Sequence, residues 1–345
     1  MPASFLSMSL TANIAIFAMG TIAIWIAGTL LARYADEISR RTGLGHVLVG
    51  VFLLAGVTSL PEIATSFSAA SAGESRMAVN NLLGSIAMQV AVLAIGDLLI
   101  SRHALTYIAP DPALMLQGSL NLVLLSVVAM AIVSGDREFF GAGVWTWGLL
   151  VGVLYSFFKL GEANQRKPWV ANFTDDEEPE GASDAGEKEA RVSALAPKTL
   201  ACAVVILVAG FCVARTAAAI AAQTAISSSF MGMAFLAIAT SLPEASTVFA
   251  ALRRRLYAMA ISDILGTNIL NIVLIFGIDI VADKSPVLNE VGSFSVLGAL
   301  LGLLVTAVLV MGLAERKDRQ FLGMGIDSLL ILVFYLGGMT LLYRL

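Results

Sequence analysis

Thr58-Ser59-Leu60-Pro61-Glu62 returns unchanged as Thr240-Ser241-Leu242-Pro243-Glu244. Sliding the chain by the 182 residues between these stretches lays its second half on its first without a gap. Gly50 meets Gly232, and Leu54-Ala55 meets Leu236-Ala237. Thr65, Phe67 and Ala69 meet Thr247, Phe249 and Ala251; Met77-Ala78 meets Met259-Ala260; Leu83-Gly84 meets Leu265-Gly266. Positions 50–89 carry 15 identities under this shift. Unrelated apolar helices share Leu and Ala by chance, but not a five-residue motif in register with a second match further on.

The solvent around this repeat is lipid. Of 345 residues, 58% are hydrophobic and 13% charged, and the mean hydropathy is +0.86. Soluble domains run at roughly 45–50% and about 25%. This excludes a soluble enzyme, a disordered regulator and a secreted disulfide scaffold. A net charge of −4 gives no footing for nucleic acid. Cys202 and Cys212 share one apolar segment and read as small packing residues. A span needs about 20 apolar residues. Ten are expected, near 11–32, 44–71, 77–100, 113–133, 142–159, 199–221, 226–252, 257–282, 291–313 and 322–343. The fold class is therefore an all-α integral membrane protein of ten transmembrane helices. It divides into a five-helix repeat at 1–159, an acidic linker at 160–198 and a second five-helix repeat at 199–345. No Lys or Arg precedes the first span, so it reads as a retained helix, not a cleaved signal. The linker, with Asp175, Asp176, Glu177, Glu178 and Glu180, has no apolar period and reads as a solvated tether.

Basic residues orient the chain. With the N-terminus outside, the inside loops and linker hold 16 of the 21 Lys and Arg, including Arg33, Arg102, Arg253 and Arg316. The outside holds five: Arg76, Arg137, Arg215, Lys284 and Arg344. The linker is then cytoplasmic and the C-terminus outside. An odd number of spans per half makes the second copy enter the membrane from the opposite side. Inverted repeats of this kind build secondary transporters with their site at the repeat interface.

The motif carries chemistry suited to that site. Pro61 and Pro243 lack an N–H, so the carbonyls of Val57 and Ala239 lose their helical partners. Such carbonyls are tolerated at membrane depth only in protein or beside a polar cavity, and they ligate hard cations. A lone proline in a span is usually a structural kink, but here each is followed by a glutamate. An intramembrane acid is a functional candidate by default. No basic residue lies at mid-depth; Arg215, in the outer part of its span, is the nearest. Thr58 and Thr240 precede Glu62 and Glu244 by four residues and share their helix faces. Ser85 with Gln89, and Thr267 with Asn271, add polar pairs at the same spacing, each preceded by Gly84 or Gly266. Taken alone, those pairs read equally well as helix–helix hydrogen bonds. Together the groups are all oxygen donors, which suit Na⁺ and Ca²⁺ rather than zinc or copper. His46 and His103 are lone and near span ends.

At these residues the chain resembles the cation/calcium exchanger superfamily, especially its sodium/calcium exchanger branch. The marks are the two TSLPE motifs with Gly84-Ser85 and Gly266-Thr267-Asn268. The resemblance implies a cluster of cation sites between four central helices. Glu62 and Glu244 would be central ligands, with Thr58, Ser59, Thr240 and Ser241 adding oxygens. Ser85, Thr267, Gln89 and Asn271 would flank them, and the carbonyls of Ala55 and Ala237 would complete the shell. It also implies that the first and sixth spans slide to switch access. Gln89 and Ile86 depart from the family pattern and leave the first repeat less polar than the second. Asp263, one turn before Thr267, matches Asn81 and could line an access path; Asp97 and Asp279, also matched, read as solvated span-end residues.

The leading expectation is a Na⁺/Ca²⁺ antiporter, with a Ca²⁺/H⁺ antiporter on the same glutamates as the alternative. Two carboxylates balance one Ca²⁺, two Na⁺ or two protons. A channel would need a continuous pore, and an enzyme a nucleophile or metal constellation that is missing; no cofactor is expected. The partners are the bilayer and the ions, a monomer suffices, and a prokaryotic plasma (inner) membrane is the expected location.

Overall fold

The computed structural model describes residues 3–42, 56, 58–99, 103–109, 111–166, 192–282 and 285–345. Its long helices are α1 Leu10–Thr42, α2 Leu60–Ser71, α3 Ser75–Asp97, α4 Pro112–Ser134 and α5 Val144–Arg166. They continue as α6 Val192–Gln223, α7 Ser228–Arg253, α8 Tyr257–Ala282, α9 Ser293–Glu315 and α10 Ile326–Tyr343. Among the described residues all of these except α2 are long and apolar enough to cross a membrane, nine in total. The expected second span, 44–71, lies partly outside the described residues, and α2 is its described end. The architecture is that of an all-α integral membrane protein.

Burial ranks the helices. The most apolar window of α3 is 89% buried, against 22% for α1 and 17% for α10. So α3 is central, while α1 and α10 present most of their apolar surface outward, where lipid is the compatible solvent. Surrounded on all sides by protein, α3 has no face set aside for solvent, and its polar residues Asn81, Ser85 and Gln89 are buried. The two longest helices, α1 and α6, pack along one another. Gly28 of α1 allows close approach to Pro243, and Gly210 of α6 does the same against Ala64. These glycines are equivalent under the 182-residue shift, and each faces the motif helix of the other half.

The same shift recurs in small details. Strand β1 (Glu138–Phe139) pairs antiparallel with β2 (Ala142–Gly143), and β3 (Gln320–Phe321) with β4 (Met324–Gly325). Both turns place two successive residues at positive φ: Phe140 and Gly141 at 47° and 77°, Leu322 and Gly323 at 54° and 80°. That is the backbone of a two-residue hairpin whose twist matches its strands.

Asp97 and Asp279 are a correction to the sequence reading. Both are buried, not solvated. Asp97 accepts the N–H of Leu105 at 2.7 Å and of Gly325, in the other half's hairpin, at 2.6 Å. Asp279 accepts the N–H of Val287 at 2.6 Å and of Gly143 at 2.7 Å. Every member of one set is the 182-residue counterpart of a member of the other. Each half thus holds the hairpin of the other. The residues were solvated in expectation because burial by a hairpin from the far half leaves no local sequence signal.

Candidate cation-binding site

Helices α2, α3, α7 and α8 all pack against one another. The motif shapes its two helices differently. In the first half, Ser59 stands outside the helix at φ −78° and ψ 3°, and α2 starts at Leu60. Pro61 therefore occupies the first turn, where a missing N–H costs nothing. The expected break is present there. In the second half the helix runs unbroken through Pro243. The irregularity ends about two turns upstream, where Met231–Leu236 forms a π-helical segment. Such segments widen a helix and are frequent at functional sites. Here the widening is tied to packing: a Cβ on Gly84 would strike the Met233 carbonyl, and a Cβ on Gly232 the Met77 carbonyl. Backbone-to-backbone contact of α3 with this segment depends on both glycines.

Thr58, Ser59 and Glu62 are buried, as are Thr240, Ser241 and Glu244. Ser85 and Gln89 on α3, Thr267 and Asn271 on α8, and Ala237 on α7 are buried with them. Ala55 lies outside the described residues. The Ser85 hydroxyl stands 3.3 Å from that of Thr240, which also lies 3.3 Å from the Ala237 carbonyl oxygen. Glu62 and Glu244 are close enough for their charges to interact, and the Thr240 hydroxyl faces Glu62. The Asn268 amide donates to the Ile86 carbonyl at 3.4 Å. Thr267 donates to the Asp263 carbonyl at 2.9 Å, leaving its oxygen lone pairs available.

Buried polar groups are normally paired, and an orphan costs about 1–3 kcal/mol. Among the described residues neither carboxylate oxygen of Glu62 or Glu244 has a hydrogen-bond partner, nor does the Ser59 or Ser241 hydroxyl. Both polar atoms of the Gln89 amide and of the Asn271 amide are equally unpaired. Arg215 offers no relief to the acids, because its guanidinium stacks over Phe211 at 5.1 Å. An all-oxygen, electron-rich, unpaired cluster in a low-dielectric interior is chemically a receptor for hard cations. Among the described residues no three His, Cys, Asp or Glu side chains converge on one point. The carboxylate charge at the centre is therefore that of the two glutamates.

A supporting layer escaped the sequence reading. Thr65 donates to the Pro61 carbonyl at 2.8 Å, and the Asn81 amide donates to Thr65 at 3.1 Å and Ser66 at 2.9 Å. In the second half Thr247 donates to the Glu244 carbonyl at 2.9 Å and lies 3.2 Å from the Asp263 carboxylate. Each threonine stands three residues after its motif glutamate. Their identity under the shift was the available signal.

The chain matches the family described as sodium/calcium exchanger protein over residues 12–160 and again over 198–342. It is similar to the inner membrane protein YrbG of Escherichia coli, 29% identical across 74% of this chain and 78% of that protein. It is 24% identical to an uncharacterized membrane protein, MJ0091, of Methanocaldococcus jannaschii, across 74% of this chain and 77% of that one. In fold it resembles the crystal structure of the H⁺/Ca²⁺ exchanger CAX, with a TM-score of 0.69 at 15% identity, covering 96% of this chain and 85% of the other. It also resembles the sodium-calcium exchanger NCX_Mj, with a TM-score of 0.58 at 21% identity, covering 96% and 99%. The chain belongs to the sodium/calcium exchanger protein family, and it is a secondary-active cation/Ca²⁺ exchanger that works by alternating access.

Proposed function

We propose that this protein exchanges Ca²⁺ for protons, both carried at Glu62 and Glu244. One observation carries the reading: two buried carboxylates, near enough for their charges to interact, have no hydrogen-bond partner among the described residues. Ca²⁺ neutralises the pair as one divalent ion, and two protons neutralise it as two monovalent ones. Thr58, Ser59, Thr240, Ser241, Ser85, Thr267, Gln89, Asn271 and the carbonyls of Ala55 and Ala237 supply the remaining oxygens. The proton reading is favoured by Ile86 and Gln89, which leave the first half short of compact Na⁺ ligands. It is also supported by the higher TM-score to the H⁺/Ca²⁺ exchanger. Na⁺ as counter-ion is the second reading, favoured by the TSLPE motif and by the higher identity to the sodium-calcium exchanger.

The architecture that serves this function is ten spans in two inverted halves, 1–159 and 199–345, joined by a cytoplasmic linker at 160–198. The N- and C-termini are outside a plasma membrane. Several contacts support the inversion. Asp97 and the second hairpin are both cytoplasmic in this topology, Asp279 and the first hairpin both external, and the observed hydrogen bonds join those partners. Ile86 and Asn268, equivalent under the shift, touch each other, as residues do only beside a two-fold pseudo-axis. Glu62 and Glu244, also equivalent under the shift, lie near enough for their charges to interact. Helices α1 and α6, packed together over Gly28 and Gly210, are the elements that slide.

The test is Ca²⁺ uptake into proteoliposomes with an outward H⁺ or an outward Na⁺ gradient imposed separately. Uptake with H⁺ alone is expected. Uptake driven by Na⁺ at clamped pH, and not by H⁺, replaces the proton by Na⁺ on the same glutamates. Near-normal exchange by Glu62→Gln or Glu244→Gln removes the site assignment altogether.

A further inference from the structure

The two halves of the site differ at one acid. Asp263 of α8 occupies the position that Asn81 holds in α3. Asn81 is fully buried and spends its amide on Thr65 and Ser66. Asp263 and its neighbour Thr247 are only half-buried, whereas Thr65, the counterpart of Thr247, is fully buried. So Asp263 and Thr247 keep some exposed surface beside α7 and α8, while Asn81 and Thr65 keep almost none. A carboxylate facing hydrocarbon at this depth would be costly, so the exposed side of Asp263 is the side from which water and ions would reach it. Asp263 lies one turn N-terminal to Thr267, about 5–6 Å along the axis, on the face that carries Thr267 and Asn271. Its charge reaches Glu244, whose oxygens are buried and unpaired. It does not join the two glutamates in a common three-carboxylate shell. An ion therefore meets Asp263 before, not while, it sits at the centre.

We infer that Asp263 is a staging ligand for Ca²⁺ at one mouth of the transporter only, an acid that captures the ion and hands it to Glu244. The inference rests on the Ca²⁺-exchange reading above. By the basic-residue count, Tyr257 begins α8 at the cytoplasmic surface, so this mouth faces the cytoplasm. The opposite mouth has the neutral Asn81 at the equivalent depth. At this depth the protein thereby presents an acid on the inward side and a neutral amide on the outward side, which suits a carrier that collects scarce Ca²⁺ from the inside.

The experiment compares initial Ca²⁺ uptake in everted membrane vesicles, which expose the cytoplasmic face, with right-side-out vesicles, for the full chain and for Asp263→Asn and Asp263→Ser. Asparagine is what the first half already accommodates at this position. The expected result is a KM for Ca²⁺ raised on the order of tenfold at the cytoplasmic face and unchanged at the outer face, with Asp263→Glu restoring the low value. A purely structural role would change both faces alike. An equal change at the two faces, no change at either, or a change confined to the outer face overturns the inference while leaving the exchange reading intact. If the parent protein moves no Ca²⁺, or Glu244→Gln still does, the exchange reading fails and the inference with it.

Discussion

Replacing Asp97 by alanine removes one acceptor and strands two buried donors. The carboxylate takes the Leu105 N–H at 2.7 Å and the Gly325 N–H at 2.6 Å, both bonds buried. Hydrogen bonds to a carboxylate are worth about 1.5–3 kcal/mol each, and a buried orphan N–H costs about 1–3 kcal/mol. Two such bonds make the loss about 3–6 kcal/mol. Asp279→Ala strands Val287 and Gly143 in the same way and also releases the Thr146 hydroxyl, which donates at 2.6 Å, so its loss falls in the same range or above it. Asp111 is the control: it caps α4 through a single 2.8 Å bond to the Ala113 N–H, and its removal costs about 1 kcal/mol. Thermal unfolding in detergent, followed by tryptophan fluorescence, reads the difference. Asp97→Ala and Asp279→Ala are expected to lower the midpoint by about 5–10 °C, and Asp111→Ala by about 2 °C. Midpoints for the two clamp variants within the range of the Asp111 control would refute the reciprocal clamp. A large loss for one and none for the other would refute its symmetry.

In the proposed reading Ca²⁺ binds the folded site and not the unfolded chain, so it should raise the unfolding midpoint of the parent protein; a hundredfold excess over Kd contributes about 2.7 kcal/mol. Glu62→Gln and Glu244→Gln should fold, lose that stabilisation and lose transport. Gly84→Ala and Gly232→Ala each drive a methyl into a backbone carbonyl, of Met233 and Met77 respectively; a cost of about 1–3 kcal/mol is expected, read as a lower midpoint. Partial burial opposes ionisation of Asp318, but hydrogen bonds from His103 and the Ala104 N–H outweigh it and hold the carboxyl below its ordinary range. That contribution is present above the unfolded value near 4 and is lost as the pH falls through the lower folded value. Asp318→Asn should flatten the midpoint-against-pH curve in that acid window and nowhere else.

The repeat made most of this molecule legible. Glu62 and Glu244 declared themselves because an unpaired acid in an apolar run has few structural excuses. Most helix ends fell within a few residues of their expected places, but α1 runs ten residues past its expected end to Thr42, α5 seven past to Arg166, and α6 starts seven early at Val192, because a helix can continue beyond the apolar stretch that hydropathy marks. What stayed hidden depends on tertiary contact. The π-helical segment at Met231–Leu236 has no sequence pattern of its own and is packed through Gly84 and Gly232 from different halves. Pro243 was expected to break its helix as Pro61 does, but the helix runs on through it. Asp97 and Asp279 looked like surface residues because their donors lie 228 and 136 positions away.

Coupling follows from the charge at the centre. Among the described residues the two glutamates have no hydrogen-bond partner, so in the proposed reading they are either ionised and bare or neutralised by cargo. Removing a bare ion from water costs several kcal/mol even after relaxation, and about 5.5 kcal/mol is enough to move an equilibrium from 1:99 to 99:1. The bare pair is therefore held in whichever state keeps it open to water, and the occluded crossing is reserved for a neutralised pair. Ca²⁺ going one way and protons, or Na⁺, going the other are then obligatory alternatives, with no separate gate needed to enforce exchange. The asparagine and glutamine amides help without altering the sum, because Gln89 and Asn271 lend dipoles and not charge. The consequence is measurable. Glu62→Gln leaves one carboxylate, which a single proton neutralises and a single Ca²⁺ does not, so Ca²⁺ flux should vanish. Glu62→Gln with Glu244→Gln leaves no charge, and the empty carrier should then interconvert freely between its two accessible states. Labelling of cysteines introduced at each mouth reads that interconversion. If the double variant stayed locked on one side without ions, the charge of the bare pair would not be what couples the fluxes.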